Sequence, residues 1–517
     1  RILDATAANG DLGLRADASI LDLNDDLAAH VRGDSVSLEA GQRIGASGND
    51  FLIDSRFSGS GNVTLRTGLD MHVRETAGDL WLNTVTVGAG TAFIKAPAGS
   101  ILNRRATLPA EGPNVLSGHV WLLAAQDIGE EGTPIVTEVG NIESWSQSGS
   151  TYVQNLGALT VGGVPGTSGG AGMEAGGSLH LGASSPITVT EDQIAEGYIL
   201  IVTGDDDADA DADGTATPDP KDDADDLRVA GGVTIRSRGS YVSLQAGDDL
   251  ILEAGAVIQA ATTVFLAVDA GNADPGAGGA LDPRGAILAP AVEISGEADG
   301  DTFDLRWLTV PATISGGDGP DTLRGPGEDS VWAITGPNQG TLNDLFAFDA
   351  VEHLTAGAGD DTFYFLGAGR MDGLVDGGPG VDLLDFVRSD FIQEAAADFR
   401  TVELPVGDEV VPFAGTGGIR HIEDILVIQL AELQADGTLL LNMGPRAAER
   451  LAINTEDGDE AFTLAHVAGD PGTELGETVR VTAFGITLEY EGVRTIRGDG
   501  GLGNDTITLA ADVLAPA

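Results

Sequence analysis

The sequence contains no cysteine, and only two of its 26 basic residues are lysines, Lys95 and Lys221. Without cysteine the chain can form no disulfide framework, thiol nucleophile or zinc–thiolate site. Aromatic residues make up only 5% of the sequence, which is few for a large globular core. No stretch approaches the roughly 18 uninterrupted apolar residues of a membrane span, so we expect no membrane-spanning segment.

Positive charge is scarce: the sequence has 81 acidic and only 26 basic residues, and its formal net charge is −55. A field of this sign repels phosphate, which excludes nucleic acid as a partner. It also predicts that the fold depends on cations or salt to relieve self-repulsion. We interpret the chain as a large secreted bacterial protein, located extracellularly or on the cell surface. A cytosolic protein, or a GC-rich or salt-adapted source, would also fit this composition.

Glycine is abundant, with 75 residues, and it repeatedly flanks short segments in which apolar and polar residues alternate. Alternation at period two predicts strands, and glycine, which adopts positive φ without steric cost, predicts tight turns between them. Many such units in series predict a solenoid whose coils bury their apolar faces against each other. We expect ten of these apolar residues to point inward: Val36, Leu38, Val63, Leu65, Leu179, Leu181, Val242, Leu244, Leu250 and Leu252.

The sequence therefore predicts an all-β fold, a parallel β-solenoid in two parts. Residues 1–310 are expected to form a β-helix with an acidic loop insertion at 204–226, a segment too polar to bury. Residues 311–517 are expected to continue the solenoid with a different type of turn. Within this second part, residues 419–433 carry apolar residues at spacings of three and four. That pattern is compatible with a helix or with one or two strands.

The clearest motif of the second part is Gly-Gly-x-Gly-x-Asp, followed after one residue by a large apolar side chain. Full copies occupy residues 316–323, 377–384 and 500–507, the copy at 356–363 differs only at its first position, and a degenerate copy occupies 325–331. Glycine turns direct backbone carbonyls inward and the aspartate adds charge, and hard oxygen ligands of this kind suit Ca²⁺. Alternatively, each turn is only a corner of the solenoid. The candidate calcium ligands are Gly316, Asp318, Asp321, Gly357, Asp361, Gly377, Asp382, Gly500 and Asp505.

A second calcium candidate lies within the acidic loop. Three aspartates occupy positions 1, 3 and 5 of an EF-hand-like loop, with glycine at position 6: Asp209, Asp211 and Asp213. Position 12 is Pro220 in place of the usual glutamate, and other aspartates of the loop could substitute for it: Asp219, Asp222 and Asp223. The alternative is a disordered acidic loop.

At its Gly-Gly-x-Gly-x-Asp copies the chain resembles the RTX family of secreted calcium-binding proteins, whose nonapeptides wind into a parallel β-roll. Family arrays are tandem, with Ca²⁺ between successive turns, whereas the copies here are scattered. Residues 314–386 look like modules of very large bacterial adhesins, and residues 1–310 are similar in texture to filamentous-haemagglutinin-type β-helices. These resemblances imply a right-handed solenoid, RTX-like β-roll turns in the C-terminal part, export from the cell and a structural or adhesive role.

We therefore expect a calcium-stabilised, non-catalytic adhesin shaft or surface filament. The alternative is a carbohydrate-active β-helix enzyme, a polysaccharide lyase or hydrolase, which would need a groove with converging carboxylates or arginines. Residues 166–170 match Gly-x-Ser-x-Gly, but without the strand-to-helix context of a nucleophile. Both ends of the chain look like ordinary coils, which suggests a piece of a longer protein or head-to-tail association into filaments. The sequence identifies no ligand on a host or matrix surface.

Overall fold

The computed structural model describes residues 5–6, 10–23, 28–55, 61–105, 112–167, 170–184, 186–204, 225–271, 278–390, 393, 395 and 408–517. The chain is almost entirely β-structure, with 49% strand and 2% helix. It divides into two compact units, Arg1–Leu323 and Arg324–Ala517. Among the helices of the described residues, none has the length and apolar character needed to cross a membrane.

The first unit is a succession of short strands separated by turns and loops. In chain order these strands are β1 (Ala5–Thr6), β2 (Asp11–Ala16), β3 (Val31–Arg32), β4 (Ser35–Ala40), β5 (Phe51–Asp54), β6 (Val63–Thr67), β7 (Met71–Glu75), β8 (Leu80–Val87), β9 (Thr91–Ala96), β10 (Ile101–Asn103), β11 (Val115–Leu116), β12 (His119–Ala124), β13 (Ile135–Glu138), β14 (Asn141–Ser146), β15 (Thr151–Asn155), β16 (Leu159–Val161), β17 (Met173–Ala175), β18 (Leu179–Ala183), β19 (Ile187–Val189), β20 (Gln193–Ala195), β21 (Ile199–Thr203), β22 (Leu227–Val229), β23 (Thr234–Ser237), β24 (Val242–Gln245), β25 (Leu250–Leu252), β26 (Val257–Gln259), β27 (Thr263–Ala267), β28 (Ala280–Pro283), β29 (Ala286–Leu288), β30 (Ala291–Ser295), β31 (Thr302–Asp304) and β32 (Ala312–Ser315).

These strands pair in parallel, each with the strand that occupies the same place in the next coil. From β15 to β29 each coil supplies three strands, so that β15, β18, β21, β24 and β27 are successive neighbours. β16, β19, β22, β25 and β28 form a second such series. The repeating parallel order is consistent with the predicted β-solenoid, because a single coil cannot bury its own apolar face.

The apolar residues of the alternating strands point into the interior of the coils. All ten that the sequence predicts to face inward are at most 1% exposed. The intervening strand residues point outward, as the period of two requires. This part of the prediction is confirmed.

The second unit mixes parallel and antiparallel pairing. Its strands follow β33 (Thr322–Arg324), which contains the boundary between the units, and are β34 (Val331–Gly336), β35 (Gln339–Leu342), β36 (Phe346–Asp349), β37 (His353–Thr355), β38 (Thr362–Phe365), β39 (Leu374–Asp376), β40 (Leu383–Asp385), β41 (Gly418–Arg420), β42 (Asp424–Leu426), β43 (Ala431–Leu433), β44 (Thr438–Leu441), β45 (Ala461–Asp470), β46 (Gly476–Ala483), β47 (Ile486–Val493), β48 (Thr495–Arg497) and β49 (Thr506–Leu509). β34, β38, β40 and β42 pair in parallel, whereas β35 pairs antiparallel with β34 and β36.

The last part of this unit departs from the coil pattern expected up to the end of the chain. β45, β46 and β47 form antiparallel hairpins, and β49 adds to β45 in parallel. The turn between β46 and β47 consists of Phe484 and Gly485, whose φ values of 54° and 82° are both positive. This backbone is that of the tight hairpin turn whose twist matches its strands, so it reverses the chain where a coil would continue.

The region of residues 419–433 contains strands and no helix, so the helical interpretation is wrong and the strand alternative is confirmed. β41, β42 and β43 lie within or overlap it. The residue after β41, His421, has a φ of 50°, which interrupts any helix. The apolar spacing arises from strands and turns that bury Ile422, Ile425 and Leu430. A 3₁₀ helix spans Gly444–Arg450.

Candidate functional site: stacked glycine–aspartate turns

The second glycine of each full motif copy adopts a conformation that other residues avoid. The φ values of Gly317, Gly378 and Gly501 are 110°, 83° and 65°. The glycine also allows successive turns to approach closely, because a Cβ added at Gly378 would lie 2.3 Å from the carbonyl oxygen of Gly357. The glycines are therefore required both by the turn and by the stacking of one turn on another.

The aspartate of the motif folds its carboxylate back over the first glycine of the same turn. A Cβ added at Gly377 would lie 2.5 Å from Oδ2 of Asp382, and one at Gly500 would lie 2.7 Å from Oδ2 of Asp505. Such contacts are too short for real carbon atoms. The motif aspartate lies five residues after the first glycine because its carboxylate packs directly against that glycine.

In the first unit, two such turns are stacked. The backbone N–H of Asp301 donates a 2.8 Å hydrogen bond to Oδ1 of Asp321, and the N–H of Gly279 donates a 2.8 Å bond to Oδ1 of Asp301. Both aspartates are fully buried. The pKa of Asp301 is raised to about 7, chiefly by burial and in addition by the neighbouring charges of Asp269 and Asp321.

The other predicted ligands of this copy occupy different surroundings. Asp318 is exposed to solvent, and its backbone N–H bonds to the carbonyl of Glu297. Gly316 is buried beneath the turn. Asp301 escapes the motif search because its turn, residues 296–303, keeps Gly296 and Asp301 of the motif but lacks the second and third motif glycines. The signal that could have identified it is its position twenty residues before Asp321, the same offset that pairs Ile294 with Ile314.

In the second unit, a longer series of carboxylates connects successive turns. Oδ1 of Asp361 accepts the N–H of Ser330 at 2.7 Å, and Oδ1 of Asp382 accepts the N–H of Asp361 at 2.8 Å. Glu423 completes the series, since its Oε2 accepts the N–H of Asp382 at 2.8 Å. Each acid therefore caps a backbone group on the neighbouring coil. Glu423 was not predicted, because nothing in the local sequence shows which coil it stacks against.

The second carboxylate oxygen of each of the two aspartates in this series has no hydrogen-bond partner. Oδ2 of Asp361 and Oδ2 of Asp382 are both buried and accept no hydrogen bond, and both residues are fully buried. Burial raises the pKa of Asp361 to about 6 and that of Asp382 to about 7. After burial, the charge of Asp361 is one of the causes of the raised pKa of Asp382. A charged carboxylate in such a position requires either a proton or a cation.

A third buried carboxylate of the same region, Asp376, is neutralised by neighbouring basic side chains. Asp376 is buried, which by itself raises its pKa, but hydrogen bonds from Arg420 and His421 lower the pKa below its usual value. The Nη2 atom of Arg420 lies 2.5 Å from Oδ2 of Asp376. Among the described residues, no basic side chain contributes in this way to the pKa values of Asp361 or Asp382.

The last motif copy has different neighbours from the others. Asp505 is partly exposed, and its Oδ1 accepts the N–H of Glu460 at 3.0 Å. Glu460 is fully buried and forms an ion pair with the equally buried Arg450. A Cβ on Gly501 would lie 2.5 Å from Oδ2 of Asp457, so this turn also packs closely against its neighbour. Arg450 therefore supplies the positive charge of this region.

Side chains alone do not form a metal cage in the part of the chain that the structure describes, where no three His, Cys, Asp or Glu residues converge. A cation in the turns would therefore also use backbone oxygens. The carbonyl oxygens of Gly357 and Gly359 approach the next turn closely, 2.3 Å and 2.0 Å from a Cβ added at Gly378 and Gly380. The other calcium candidates, Asp209, Asp211 and Asp213, lie outside the described residues.

Comparison with known proteins identifies no relative of this chain. No family model matches it, and neither a curated protein nor a solved structure does. Its function is therefore inferred from the geometry of the stacked turns and from the chemistry of the buried carboxylates within them.

Proposed function

We propose that this chain is a calcium-stabilised, non-catalytic structural or adhesive protein of the bacterial exterior, the shaft of an adhesin or a surface filament. The observation that carries the proposal is the pair of buried carboxylates, Asp361 and Asp382, each with one oxygen that has no hydrogen-bond partner. In the proposed state Ca²⁺ binds between their turns and replaces the protons that otherwise neutralise them. The coil is right-handed and the turns are RTX-like β-roll turns.

The groups present fit the ion. Calcium takes six to eight oxygen ligands, and it accepts carboxylates together with backbone carbonyls and water. Asp361 and Asp382 supply carboxylates, and Gly357 and Gly359 of the preceding turn supply carbonyls that approach the next coil. In the first unit, Asp321 and Asp301 offer a second pair of stacked carboxylates.

The structural role follows from charge and from repetition. A chain with a net charge of −55 repels itself, and cations between the turns would relieve part of that repulsion while connecting one coil to the next. Head-to-tail contact between copies would build a filament, because a heterologous contact does not close on itself.

The test uses asparagine, which retains an acceptor for the neighbouring N–H but removes the charge. In chelator at pH 8, we expect Asp382→Asn to have a higher melting temperature than the wild type, because the substitution removes a buried negative charge that no cation compensates. In millimolar Ca²⁺ we expect the wild type to gain stability and the variant to gain much less. Asp349→Asn, at an exposed position of β36, is the matched control and should respond as the wild type does.

The measurements are thermal unfolding and titration calorimetry with CaCl₂ as the only added ligand. Equal calcium-dependent stabilisation of the wild type and Asp382→Asn would contradict the proposed site. A wild type that binds no calcium at millimolar concentration and melts identically with and without chelator would overturn the calcium-dependent role altogether.

A further inference from the structure

Two rows of outward-pointing side chains cross four successive coils in the first unit, on the face formed by β7, β9, β12 and β14. Parallel register places the members of each row opposite one another on neighbouring strands. The aromatic row consists of His72, Phe93, Trp121 and Glu143, and the mixed row consists of Arg74, Lys95, Leu123 and Trp145. Their neighbours along each strand, such as Val73 and Ile94, are fully buried in the core.

The aromatic row is a contiguous strip of rings. The rings of His72 and Phe93 are stacked, with centroids 4.4 Å apart and planes within 8°. Phe93 also contacts Trp121, at 6.2 Å between centroids. Ring contacts of this kind fix the orientation of each side chain, so the strip is organised before any ligand arrives. In the mixed row, Trp145 is 41% exposed, which is unusual for so large an apolar side chain.

Polar groups lie directly beside these rings. Nζ of Lys95 is 2.8 Å from both carboxylate oxygens of Asp50 and 5.6 Å from the centre of the Trp121 ring. Burial lowers the pKa of His72, although the nearby Asp50 opposes this shift. His72 and Phe93 are each only 8% exposed and Glu143 only 3%, so the accessible ring faces are those of Trp145 and the partly exposed Trp121, beside the ammonium of Lys95 and the carboxylate of Asp50.

A loop borders the aromatic row. Glu143 fixes this loop, because its Oε1 accepts the N–H of Val164 at 2.8 Å and the hydroxyl of Thr167 at 3.2 Å. A Cβ on Gly166 would lie 3.2 Å from Cζ of Phe93, so the loop backbone contacts the strip directly. The loop thus contacts the buried Phe93, and the exposed surface beside it is formed by Trp121, Trp145 and Lys95.

We propose that this surface binds a neutral, extended polysaccharide of β-linked hexoses. The apolar faces of hexose rings pack on tryptophan, and their hydroxyl groups hydrogen-bond to Lys95 and Asp50. The rows repeat at the spacing of neighbouring strands, about 4.8 Å, which is close to the advance per sugar of an extended hexose chain. Sugars of one chain can therefore pack on Trp121 and Trp145, which lie on the neighbouring strands β12 and β14.

Charge favours a neutral polymer over an anionic one. Residues 71–146, which contain the four strands of the strip, have four basic and eight acidic residues, and the whole chain carries −55, so the surroundings of the strip are net negative as well. The overall field repels polyanions, and the cation of Lys95 is already paired with Asp50. This inference rests on the adhesive role proposed above and names the class of ligand for it. It does not depend on the calcium site, because the strip contains no proposed calcium ligand.

The experiment measures binding of the full chain to mixed-linkage β-glucan by affinity electrophoresis, and to cello-oligosaccharides of two to six units by calorimetry. Both are carried out with calcium and with chelator, so that failure of the calcium site and failure of the glycan site are distinguishable. We expect retardation by the neutral polymer, little by alginate, and an affinity that rises with oligosaccharide length, because a longer oligosaccharide contacts both Trp121 and Trp145.

Two tryptophan variants provide the decisive comparison. Trp145→Ala should weaken binding at least about tenfold, which corresponds to about 1.4 kcal/mol, while circular dichroism remains that of the wild type. Trp307→Ala removes another exposed tryptophan of the same unit, 54% exposed and outside the strip, and should bind as the wild type does. Lys95→Gln should also weaken binding. The proposal is overturned if no neutral polymer binds, if alginate binds more tightly, or if both tryptophan variants lose affinity equally.

Discussion

The backbone N–H of Asp361 donates a 2.8 Å hydrogen bond to Oδ1 of Asp382 on the next coil, so one fully buried acid caps another. The contact satisfies a backbone donor that would otherwise be left unpaired at the corner of a coil. It also places two carboxylates close together in a site with little solvent, and each is harder to ionise because of it.

The first prediction concerns pH in the absence of divalent cations. The pKa values of Asp361 and Asp382 are about 6 and 7 in the folded chain and about 4 for an unfolded aspartate. The folded state therefore binds more protons between these limits, and stability falls as the pH rises from about 4 to 7. We expect the melting temperature in chelator to be several degrees higher at pH 5 than at pH 8, since 1 kcal/mol corresponds to roughly 2–4 °C in a unit of this size.

The general decrease of negative charge at low pH would also stabilise the chain, so a variant must separate the two effects. The double variant Asp361→Asn and Asp382→Asn should show a clearly smaller change between pH 5 and pH 8, while Asp349→Asn keeps the full change. Identical pH profiles for the double variant and the wild type would show that the buried pair is not responsible.

The second prediction concerns the glycine that supports the carboxylate. Gly377→Ala places a Cβ 2.2 Å from the carbonyl oxygen of His421 and 2.5 Å from Oδ2 of Asp382. Relief requires movement of the backbone, so we expect a loss of about 2–3 kcal/mol, at the upper end of ordinary single substitutions. Gly327→Ala is the matched control, because a Cβ there meets nothing within 4 Å. Urea denaturation of both variants measures the difference, and equal stability would contradict the close packing of the turns.

Much of the fold follows from alternation along the strands. Leu179 and Leu181 are separated by an outward residue, and both are fully buried as predicted. The glycine–aspartate motif also predicts the tight turns, because the positive φ of Gly378 and the returning carboxylate of Asp382 are local properties of one turn.

What the sequence does not show is the partner of each turn on the neighbouring coil. Glu423 meets Asp382 only because the intervening coil is forty-one residues long in the chain, and Asp301 meets Asp321 over a coil of twenty. The length of a coil depends on its loops, which differ in length from coil to coil. Such contacts can therefore be assigned only when the alignment of each coil on the next is known. The hairpin at Phe484 was missed for a related reason, since a strand pattern alone does not distinguish a parallel from an antiparallel neighbour.

The last prediction concerns the buried ion pair of the C-terminal region. Arg450 and Glu460 have no exposed side-chain surface, and Arg450 also donates hydrogen bonds to the carbonyl oxygens of Asn442 and Glu456. Removing the guanidinium leaves a buried carboxylate without its cation, which costs about 3–5 kcal/mol. We therefore expect Arg450→Met to lower the free energy of unfolding by this amount at pH 7.5.

Two further variants show whether the cost belongs to the buried charge. Adding Glu460→Gln to Arg450→Met should recover part of the loss, because the uncompensated carboxylate is then absent while an acceptor for the N–H of Gly444 remains. Arg480→Met removes an exposed partner of Glu489, 48% exposed at the arginine side chain, and should cost at most about 1 kcal/mol. If the double variant is as unstable as Arg450→Met, the loss comes from packing and hydrogen bonds of the arginine and not from the charge of Glu460.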